Sequence, residues 1–230
     1  MKWAVVAFPG SNCDEDTRFV LTSVFHQEAE IIWHQENDLR GADAVVLPGG
    51  FAHGDYLRCG AIARFSPIMD AVFKHIADGR PVLGICNGMQ VLAEAGLLPG
   101  ALLRNDSLEF RCQWVNLLLE SPDRRFFGDS AVGTVLRMPI SHGEGRYHCD
   151  PEELAEISAN GQILLRYCDD DGTLDASANP NGSIGAIAGV RNREGTVFGL
   201  MPHPERACDA LLGGTDGAII FQSMIEAMYV

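Results

Sequence analysis

The first hundred residues alternate short, continuous apolar runs with longer segments whose apolar positions recur at helical spacing. Turn residues bound each apolar run, which is typical of strands buried on both faces of a sheet. Strands separated by helices predict an α/β fold, with an open, mostly parallel sheet and helices on both faces. The predicted strands cover residues 3–8, 29–33, 44–47 and 82–86, and the predicted helices cover 14–25, 64–79 and 88–95.

The pattern changes after residue 110, where shorter apolar runs alternate with polar turns. We interpret this part as smaller, partly antiparallel strands that cover one side of the sheet. A glycine-spaced polar loop is expected at 139–147 and a hairpin turn at 192–195. No internal repeat or linker is evident, so we predict one domain over residues 1–230. The strands expected here cover 114–119, 131–136, 184–190 and 196–200, and a last helix covers 217–228.

Charge and composition narrow the functional classes. The formal net charge is -14, and an acidic surface repels phosphates, which argues against a nucleic-acid partner. No run of about 18 apolar residues is present in the sequence, so no membrane span is predicted. The 7 cysteines are odd in number and fit no zinc spacing, which favours reduced thiols in the cytoplasm. His142 and Glu144 lack a third ligand at usable spacing, so no metal site is predicted.

The clearest chemical signal is the pattern Gly84-x-Cys86-x-Gly88 at the junction of a predicted strand and a predicted helix. It is the thiol counterpart of the G-x-S-x-G nucleophile elbow, in which the chain turns sharply and presents the nucleophile at its apex. Cys86 would then lie at a helix N-terminus, where the partial positive charge favours the thiolate. A buried structural cysteine between two glycines is the alternative.

A cysteine nucleophile needs a base and a third group that orients the base. His203 and Glu205 follow the predicted strand at 196–200 and are flanked by prolines that stiffen the backbone. A contact between these two side chains requires an irregular turn, which the prolines favour. We therefore predict a triad of Cys86, His203 and Glu205, with a structural histidine as the alternative for His203 alone.

Further residues are placed to line the same cleft. Ligands in open α/β sheets bind beyond the carboxyl ends of strands, and Pro48-Gly49-Gly50 follows such an end. The paired glycines free backbone N–H groups to face an oxyanion, although a plain turn is the alternative. Gln90 lies one helical turn beyond Cys86 and is the main candidate for a ligand contact. The polar loop supplies the further candidates Ser141, His142 and Gly143.

Together, these stretches resemble the three signatures of the class I, or triad, glutamine amidotransferases. Other stretches resemble one group of that class, the glutaminase subunits of phosphoribosylformylglycinamidine synthase, which belongs to purine biosynthesis. The resemblance covers essentially the whole chain. The stretches that carry it to this group are 8–14 (FPGSNCD), 49–60 (GGFAHGDYLRCG), 179–183 (NPNGS) and 201–206 (MPHPER).

The resemblance implies a flavodoxin-like fold and a mechanism for the predicted triad. Cys86 is expected to attack the side-chain carboxamide of glutamine, while His203 passes the proton to the departing ammonia and Glu205 orients His203. The oxyanion is expected to meet the backbone N–H groups of Gly50 and Asn87. Among the cleft candidates, Gln90 is then expected to hold the glutamine substrate.

The resemblance also implies partners. Ammonia is expected to pass to a separate synthetase subunit, which converts formylglycinamide ribonucleotide to the amidine, and a small third subunit is expected to bridge the two. The sequence lacks the phosphate-binding pattern G-x-x-x-x-G-K-[ST]. We therefore expect no cofactor in this chain, and we expect ATP and Mg on the synthetase partner.

Three other functions stay open at this point. A different class I glutaminase subunit would keep the triad and change only the acceptor of ammonia. A cysteine hydrolase of similar fold would keep the elbow but should lack the arrangement of His203 and Glu205. A non-enzymatic regulatory homologue should lack Cys86 or His203, and both are present.

Overall fold

The computed structural model describes residues 1–229, and its strands form one large sheet and one small sheet. The strands are β1 (Lys2–Ala7), β2 (Glu28–Trp33), β3 (Ala44–Leu47), β4 (Val82–Ile85), β5 (Ala101–Leu103), β6 (Arg111–Leu119), β7 (Val135–His142), β8 (Arg146–His148), β9 (Ile163–Cys168), β10 (Ile187–Arg191) and β11 (Val197–Leu200). The large sheet has the order β2-β1-β3-β4-β11-β10-β9-β6-β7.

Six α-helices accompany the strands within residues 1–229, and none of them is long and apolar enough to cross a membrane. The helices are α1 (Asp14–Phe19), α2 (Ile68–Ala77), α3 (Asn87–Glu94), α4 (Arg124–Phe127), α5 (Pro151–Ala159) and α6 (Ala218–Ala227). A π-helical turn, Val20–Val24, extends α1. The predicted helix at 64–79 begins as a separate 3-10 turn, Ala63–Phe65, because Pro67 precedes the first residue of α2.

Five neighbouring strands, β2-β1-β3-β4-β11, run parallel. Every residue of β3, β4 and β11 is buried, as the continuous apolar runs predicted. The chain moves from β1 to β2 in one direction and from β1 through β3 to β4 in the other. Because such crossovers are right-handed, α1 and α2 lie on opposite faces of the sheet. The predicted α/β fold is therefore confirmed, and the carboxyl ends of β1, β3, β4 and β11 meet at one edge.

The predicted antiparallel region is present, but it extends the sheet instead of covering it. Strands β10, β9, β6 and β7 continue from β11 as antiparallel neighbours. Only β5 and β8 form a separate antiparallel pair. The hydrophobic pattern does not show whether a strand adds to an existing sheet or begins a new one, since both arrangements bury the same residues.

The prediction of a polar loop at 139–147 was wrong for the first half of that range. Strand β7 runs through Pro139 and ends only at His142, and the strand expected at 131–136 begins at Val135. Proline has no N–H to donate, and it is tolerated here because β7 is the edge strand of the sheet. Ser141 and His142 therefore have the fixed positions of a strand end.

Sequence reasoning assigned no element between 150 and 162, although the start of a helix is signalled there. The Asp150 side chain accepts a hydrogen bond from the Glu153 N–H at 2.8 Å, and Pro151 is the first residue of α5. This cap and first turn are typical of helix N-termini. The helix leads into β9, which joins β10 to the antiparallel half of the sheet.

Candidate active site

Cys86 occupies a sharp turn between β4 and α3, with φ 49° and ψ -105°. A positive φ is uncommon for a residue with a side chain, and such conformations persist where surrounding structure enforces them. A Cβ on Gly88 would lie 1.9 Å from the Leu47 carbonyl oxygen, and one on Gly84 would lie 2.4 Å from Leu92 Cδ1. Both glycines of the Gly-x-Cys-x-Gly pattern are therefore required by the close packing of α3 on β3 and β4.

The Cys86 side chain is buried next to the end of β7. Its Sγ lies 3.7 Å from the carbonyl oxygen of Ser141, which accepts the weak hydrogen bond of the thiol. The Cys86 N–H donates to the Leu200 carbonyl oxygen at 2.7 Å, which fixes the elbow to the end of β11. The strand that carries the predicted base therefore also holds the predicted nucleophile.

His203 and Glu205 form a buried pair beyond the end of β11. The distance from His203 Nδ1 to Glu205 Oε1 is 2.6 Å, and the two residues are 2% and 1% exposed. A 3-10 turn, Pro204–Arg206, provides the irregular backbone that this contact requires. The His203 N–H donates to the Pro139 carbonyl oxygen at 2.8 Å, so the edge strand β7 anchors the base.

The surroundings of His203 favour its protonated form. Burial alone lowers the pKa of an imidazole, because it disfavours the charged state. The negative charge of Glu205, and to a smaller extent that of Cys86, overcomes this effect and raises the pKa of His203 well above its ordinary value. The site can therefore hold an imidazolium, the partner that a cysteine nucleophile needs for its activation.

The loop after β3 completes the group. A Cβ on Gly49 would lie 2.7 Å from His203 Cε1, so only glycine lets the imidazole approach this backbone. Among the described residues, the backbone N–H groups of Gly50 and Asn87 donate no hydrogen bond. Both N–H groups are therefore available to an oxyanion, as the resemblance implies. Gly50 has φ 155°, and a Cβ there would lie 2.7 Å from Ser11 Cα.

A cavity of about 210 Å³ lies above Cys86. A larger one of about 360 Å³ is lined by Glu205 and Arg206 but does not reach the sulfur, so we assign substrate binding to the smaller cavity. Asp55, Cys59 and Phe110 also line it, and sequence reasoning proposed none of them as cavity residues, since it gave Asp55 a role in the shape of its own loop. The predicted site residues in its wall are Gly50, Cys86, Gln90, Ser141, His142 and Gly143.

Gln90 connects α3 to the loop that follows β7. Its Nε2 donates to the Glu144 carbonyl oxygen at 2.6 Å, and its Oε1 accepts from Asn87 Nδ2 at 2.9 Å. Asn87 Oδ1 in turn accepts from the Ala52 N–H at 3.0 Å. The two amide side chains therefore fix the positions of the cavity walls, and Gln90 also lines the cavity itself.

His142 is a buried wall residue whose ring nitrogens have no hydrogen-bond partner among the described residues. Burial and the charge of His203 lower the pKa of His142 to about 4, so the ring is neutral at physiological pH. A Cβ on Gly145 would lie 2.3 Å from the His142 ring, which packs directly on that backbone.

Cys13 and Arg206 are residues near the triad to which sequence reasoning assigned no role. Cys13 Sγ lies 3.9 Å from His203 Nδ1, and Arg206 Nη2 donates to the same sulfur at 3.2 Å. Both residues fall inside stretches that carry the family resemblance, but no spacing rule places residue 13 beside residue 203.

Cys13, His203 and Glu205 each place one possible metal ligand within 4.8 Å of the others. Two ligands on a tetrahedral zinc ion lie about 3.3 Å apart, given zinc–ligand distances of about 2.0 Å. The His203–Glu205 separation of 2.6 Å suits a hydrogen bond instead. The Arg206 guanidinium beside the sulfur also repels a cation. We therefore interpret these three residues as a hydrogen-bonded cluster.

Comparisons with known proteins agree with this geometry. Residues 1–214 match the family described as the CobB/CobQ-like glutamine amidotransferase domain. Phosphoribosylformylglycinamidine synthase subunit PurQ of Moorella thermoacetica is 52% identical over 226 residues, which cover 98% of this chain and 96% of that protein. The PurQ subunit of Gloeobacter violaceus is 54% identical over 227 residues, covering 99% and 98%. This chain belongs to the PurQ family.

Solved structures extend the comparison to three dimensions. A chain in the structure of PurLQS from Thermotoga maritima matches with a TM-score of 0.87 and 41% identity, over 99% of this chain and 98% of that chain. A putative GMP synthase subunit from Thermoplasma acidophilum matches with a TM-score of 0.65 at 16% identity, over 100% and 95%, which shows the fold alone. Membership of the PurQ family confirms the resemblance inferred from the sequence stretches.

Proposed function

We propose that this chain is the glutaminase subunit of a phosphoribosylformylglycinamidine synthase. The observation that carries the proposal is the elbow cysteine, Cys86, which lines a small cavity and is hydrogen-bonded to the end of β11, the strand that the buried His203–Glu205 pair follows. The name of the PurQ relatives favours this synthase over the other synthases that use class I glutaminase subunits.

The first half of the reaction forms a thioester. Cys86 Sγ attacks the carboxamide carbon of glutamine, and the carbonyl oxygen becomes an oxyanion that accepts hydrogen bonds from the Gly50 and Asn87 N–H groups. Losing one such donor typically costs about 10²–10³ in rate. His203 Nε2 gives its proton to the departing nitrogen, so the carbon–nitrogen bond breaks and ammonia leaves.

The second half restores the enzyme. His203, now neutral, takes a proton from water, whose oxygen attacks the thioester carbon. The carbon–sulfur bond breaks, glutamate leaves, and Cys86 returns to its thiolate form. Glu205 holds the Nδ1 proton through both halves, so that Nε2 always faces the reacting atoms.

Substrate binding uses the walls of the small cavity. Gln90 is the proposed side-chain contact to glutamine, and Ser141, His142 and Gly143 also line the cavity. Because the pKa of His142 is lowered to about 4, it contributes a neutral ring there. Three of these four wall positions, Gln90, Ser141 and His142, lie on α3 or at the end of β7, so the cavity is built mainly on rigid elements.

The acceptor of ammonia is a partner subunit. The PurLQS complex of Thermotoga maritima, which contains a similar chain, supports a synthetase partner and a small bridging subunit for this chain as well. ATP and Mg are bound by that synthetase partner, which uses them to convert formylglycinamide ribonucleotide to the amidine. The free thiols of the described residues fit a reducing compartment, so we place the reaction in the cytoplasm.

Glutamate release from glutamine tests the proposal. The chain alone is compared with the chain plus the synthetase partner, formylglycinamide ribonucleotide and Mg-ATP. Strong stimulation by the full set supports the proposed synthase. Hydrolysis that ignores this partner would assign the chain to another class I synthase. A folded chain that hydrolyses no glutamine in either mixture, and whose Cys86 resists a diazo-ketone glutamine analogue, would contradict the glutaminase function.

A further inference from the structure

A second cysteine lies beside the catalytic imidazole. Cys13 precedes α1 and is 1% exposed, and its Sγ is 3.9 Å from His203 Nδ1. Its N–H donates to the Gly49 carbonyl oxygen at 3.1 Å. The cysteine is therefore held against the same glycine on which the His203 ring packs.

Arg206 connects this cysteine to the carboxylate of the triad. Its Nη2 donates to Cys13 Sγ at 3.2 Å and to Asp16 Oδ2 at 3.3 Å, and its Nε lies 3.9 Å from Glu205 Oε1. The guanidinium is planar and rigid, so these contacts fix its orientation. Asp16, in the first turn of α1, anchors it from outside the site.

The His203–Glu205 pair needs such support. Glu205 Oε2 is buried and has no hydrogen-bond partner among the described residues, so the bond through Oε1 is its only one there. A carboxylate held by one oxygen can rotate about its last torsion, which is broad in energy. Rotation would carry Oε1 away from Nδ1 and release the ring.

We propose that Cys13 and Arg206 form a clamp that positions the His203 ring and the Glu205 carboxylate for proton transfer. The Cys13 sulfur packs against the Nδ1 side of the imidazole. The Arg206 guanidinium faces Glu205 Oε1, the carboxylate oxygen that is bonded to the ring. Both are positioning residues that touch neither substrate nor the Cys86 sulfur. The clamp couples the start of α1 to the triad through the Asp16–Arg206 ion pair.

Other roles for Cys13 fit the contacts less well. It does not line the cavity above Cys86, so it is not a second nucleophile for glutamine. Burial raises the pKa of its thiol, which keeps it protonated and unreactive.

The test rests on the proposed glutaminase function and measures glutamine hydrolysis by the full chain with its synthetase partner. The variants are Cys13→Ala, Arg206→Gln, Arg206→Lys and Asp16→Asn. The matched control is Cys149→Ala, which removes a thiol of similar burial outside the site. Thermal unfolding of each variant and ammonia-dependent synthesis by each complex are measured in parallel.

Loss of positioning should lower kcat and leave KM nearly unchanged. Misplacement by about 1 Å can cost about 10²-fold in rate, so we expect a fall of about 10- to 100-fold for Cys13→Ala and Arg206→Gln. Arg206→Lys should keep part of the kcat that Arg206→Gln loses. Asp16→Asn should lower kcat less than Arg206→Gln does. Cys149→Ala should match the unaltered chain, and ammonia-dependent synthesis should be unchanged throughout.

Two results would overturn the clamp. One is unaltered kcat in both Cys13→Ala and Arg206→Gln. The other is a fall in kcat that is proportional to the fall in thermal stability in every variant, together with a kcat for Arg206→Lys that is no higher than that for Arg206→Gln. If the unaltered chain itself releases no glutamate, the proposed function fails instead, so the two failures are distinct.

Discussion

His203 and Glu205 are two residues apart, and a hydrogen bond of 2.6 Å joins His203 Nδ1 to Glu205 Oε1. On a regular strand, residues at this spacing lie about 6.6 Å apart, too far for such a bond between neighbouring side chains on one face. The contact exists because β11 ends at Leu200 and the 3-10 turn Pro204–Arg206 bends the chain back. The bond assigns Nδ1 to Glu205, and Nε2 has no hydrogen-bond partner among the described residues, which leaves it available for proton transfer.

Glu205→Gln should slow glutamine hydrolysis by about 10²–10⁴-fold, the usual contribution of a correctly oriented general acid–base. The Glu205 charge helps to raise the pKa of His203, so its removal lowers that pKa. The imidazolium then loses its proton at a lower pH. The alkaline limb of the profile of kcat/KM against pH should therefore shift to lower pH. A profile whose alkaline limb stays in place would show that Glu205 does not control His203.

Cys86→Ala should abolish glutamine-dependent synthesis by the assembled complex and spare synthesis from added ammonium. The reason is that Cys86 serves only ammonia production, whereas the acceptor chemistry belongs to the partner. Product formation from each nitrogen source is the measurement. Equal loss of both activities would contradict this division of labour, provided that the variant still binds the partner.

Gly88→Ala should destabilise the fold despite the better helix propensity of alanine, which is worth about 1 kcal/mol. The new Cβ would lie 1.9 Å from the Leu47 carbonyl oxygen, so α3 must move away from β3. Overpacking of this kind costs about 1–3 kcal/mol, and here backbone has to shift.

Urea unfolding of Gly88→Ala measures this loss, and Gly143→Ala is its control. A Cβ on Gly143 would have an ordinary contact, 3.6 Å from Phe110 Cδ2, so its free energy of unfolding should hardly change. Equal stability of the Gly88 variant and the unaltered chain would show that the elbow tolerates a side chain at this position.

Partner stimulation should depend on the loop Phe51–Gly60, which borders the cavity and exposes large apolar side chains. Tyr56 is 88% exposed and Leu57 is 67% exposed. We expect low glutaminase activity in the isolated chain, because hydrolysis without an acceptor wastes glutamine and the partner is needed to order this loop. The double change Tyr56→Ser with Leu57→Ser should therefore leave the low activity of the isolated chain unchanged and remove most stimulation.

Leu211→Ser is the control for the loop, since Leu211 is 93% exposed in a different segment. Glutamate release with and without the synthetase partner gives the stimulation ratio for each variant. Full activity in the isolated chain, or equal stimulation of the loop variant and the control, would contradict the hypothesis that the partner stimulates activity through this loop.

Most of the parallel sheet was predictable because its strands are buried on both faces. The apolar run at 44–47 gave the bounds of β3 without error, and the run at 82–86 extended one residue beyond β4. The prediction was weaker at β7, where Pro139 indicated a loop. An edge position removes the penalty for that proline, and the sequence does not show which strand is at the edge.

The residues of the predicted triad could be singled out from local signals. Glycine spacing marks Cys86, and flanking prolines mark His203 and Glu205, because sharp turns need these residue types. The clamp could not be found in this way. Cys13 and Arg206 meet only because β1, β3 and β11 are parallel and end at the same edge of the sheet, which brings residues 193 positions apart into contact.

The sequence by itself therefore determined the buried strands, the elbow and the membership of a triad family, since each depends on residues close together in the chain. Tertiary structure alone decided how the antiparallel strands join the sheet, which further side chains complete the cavity and what supports the His203–Glu205 pair. These features depend on contacts between distant segments, and their geometry is set by strand order and packing. No local pattern of residue types encodes that order.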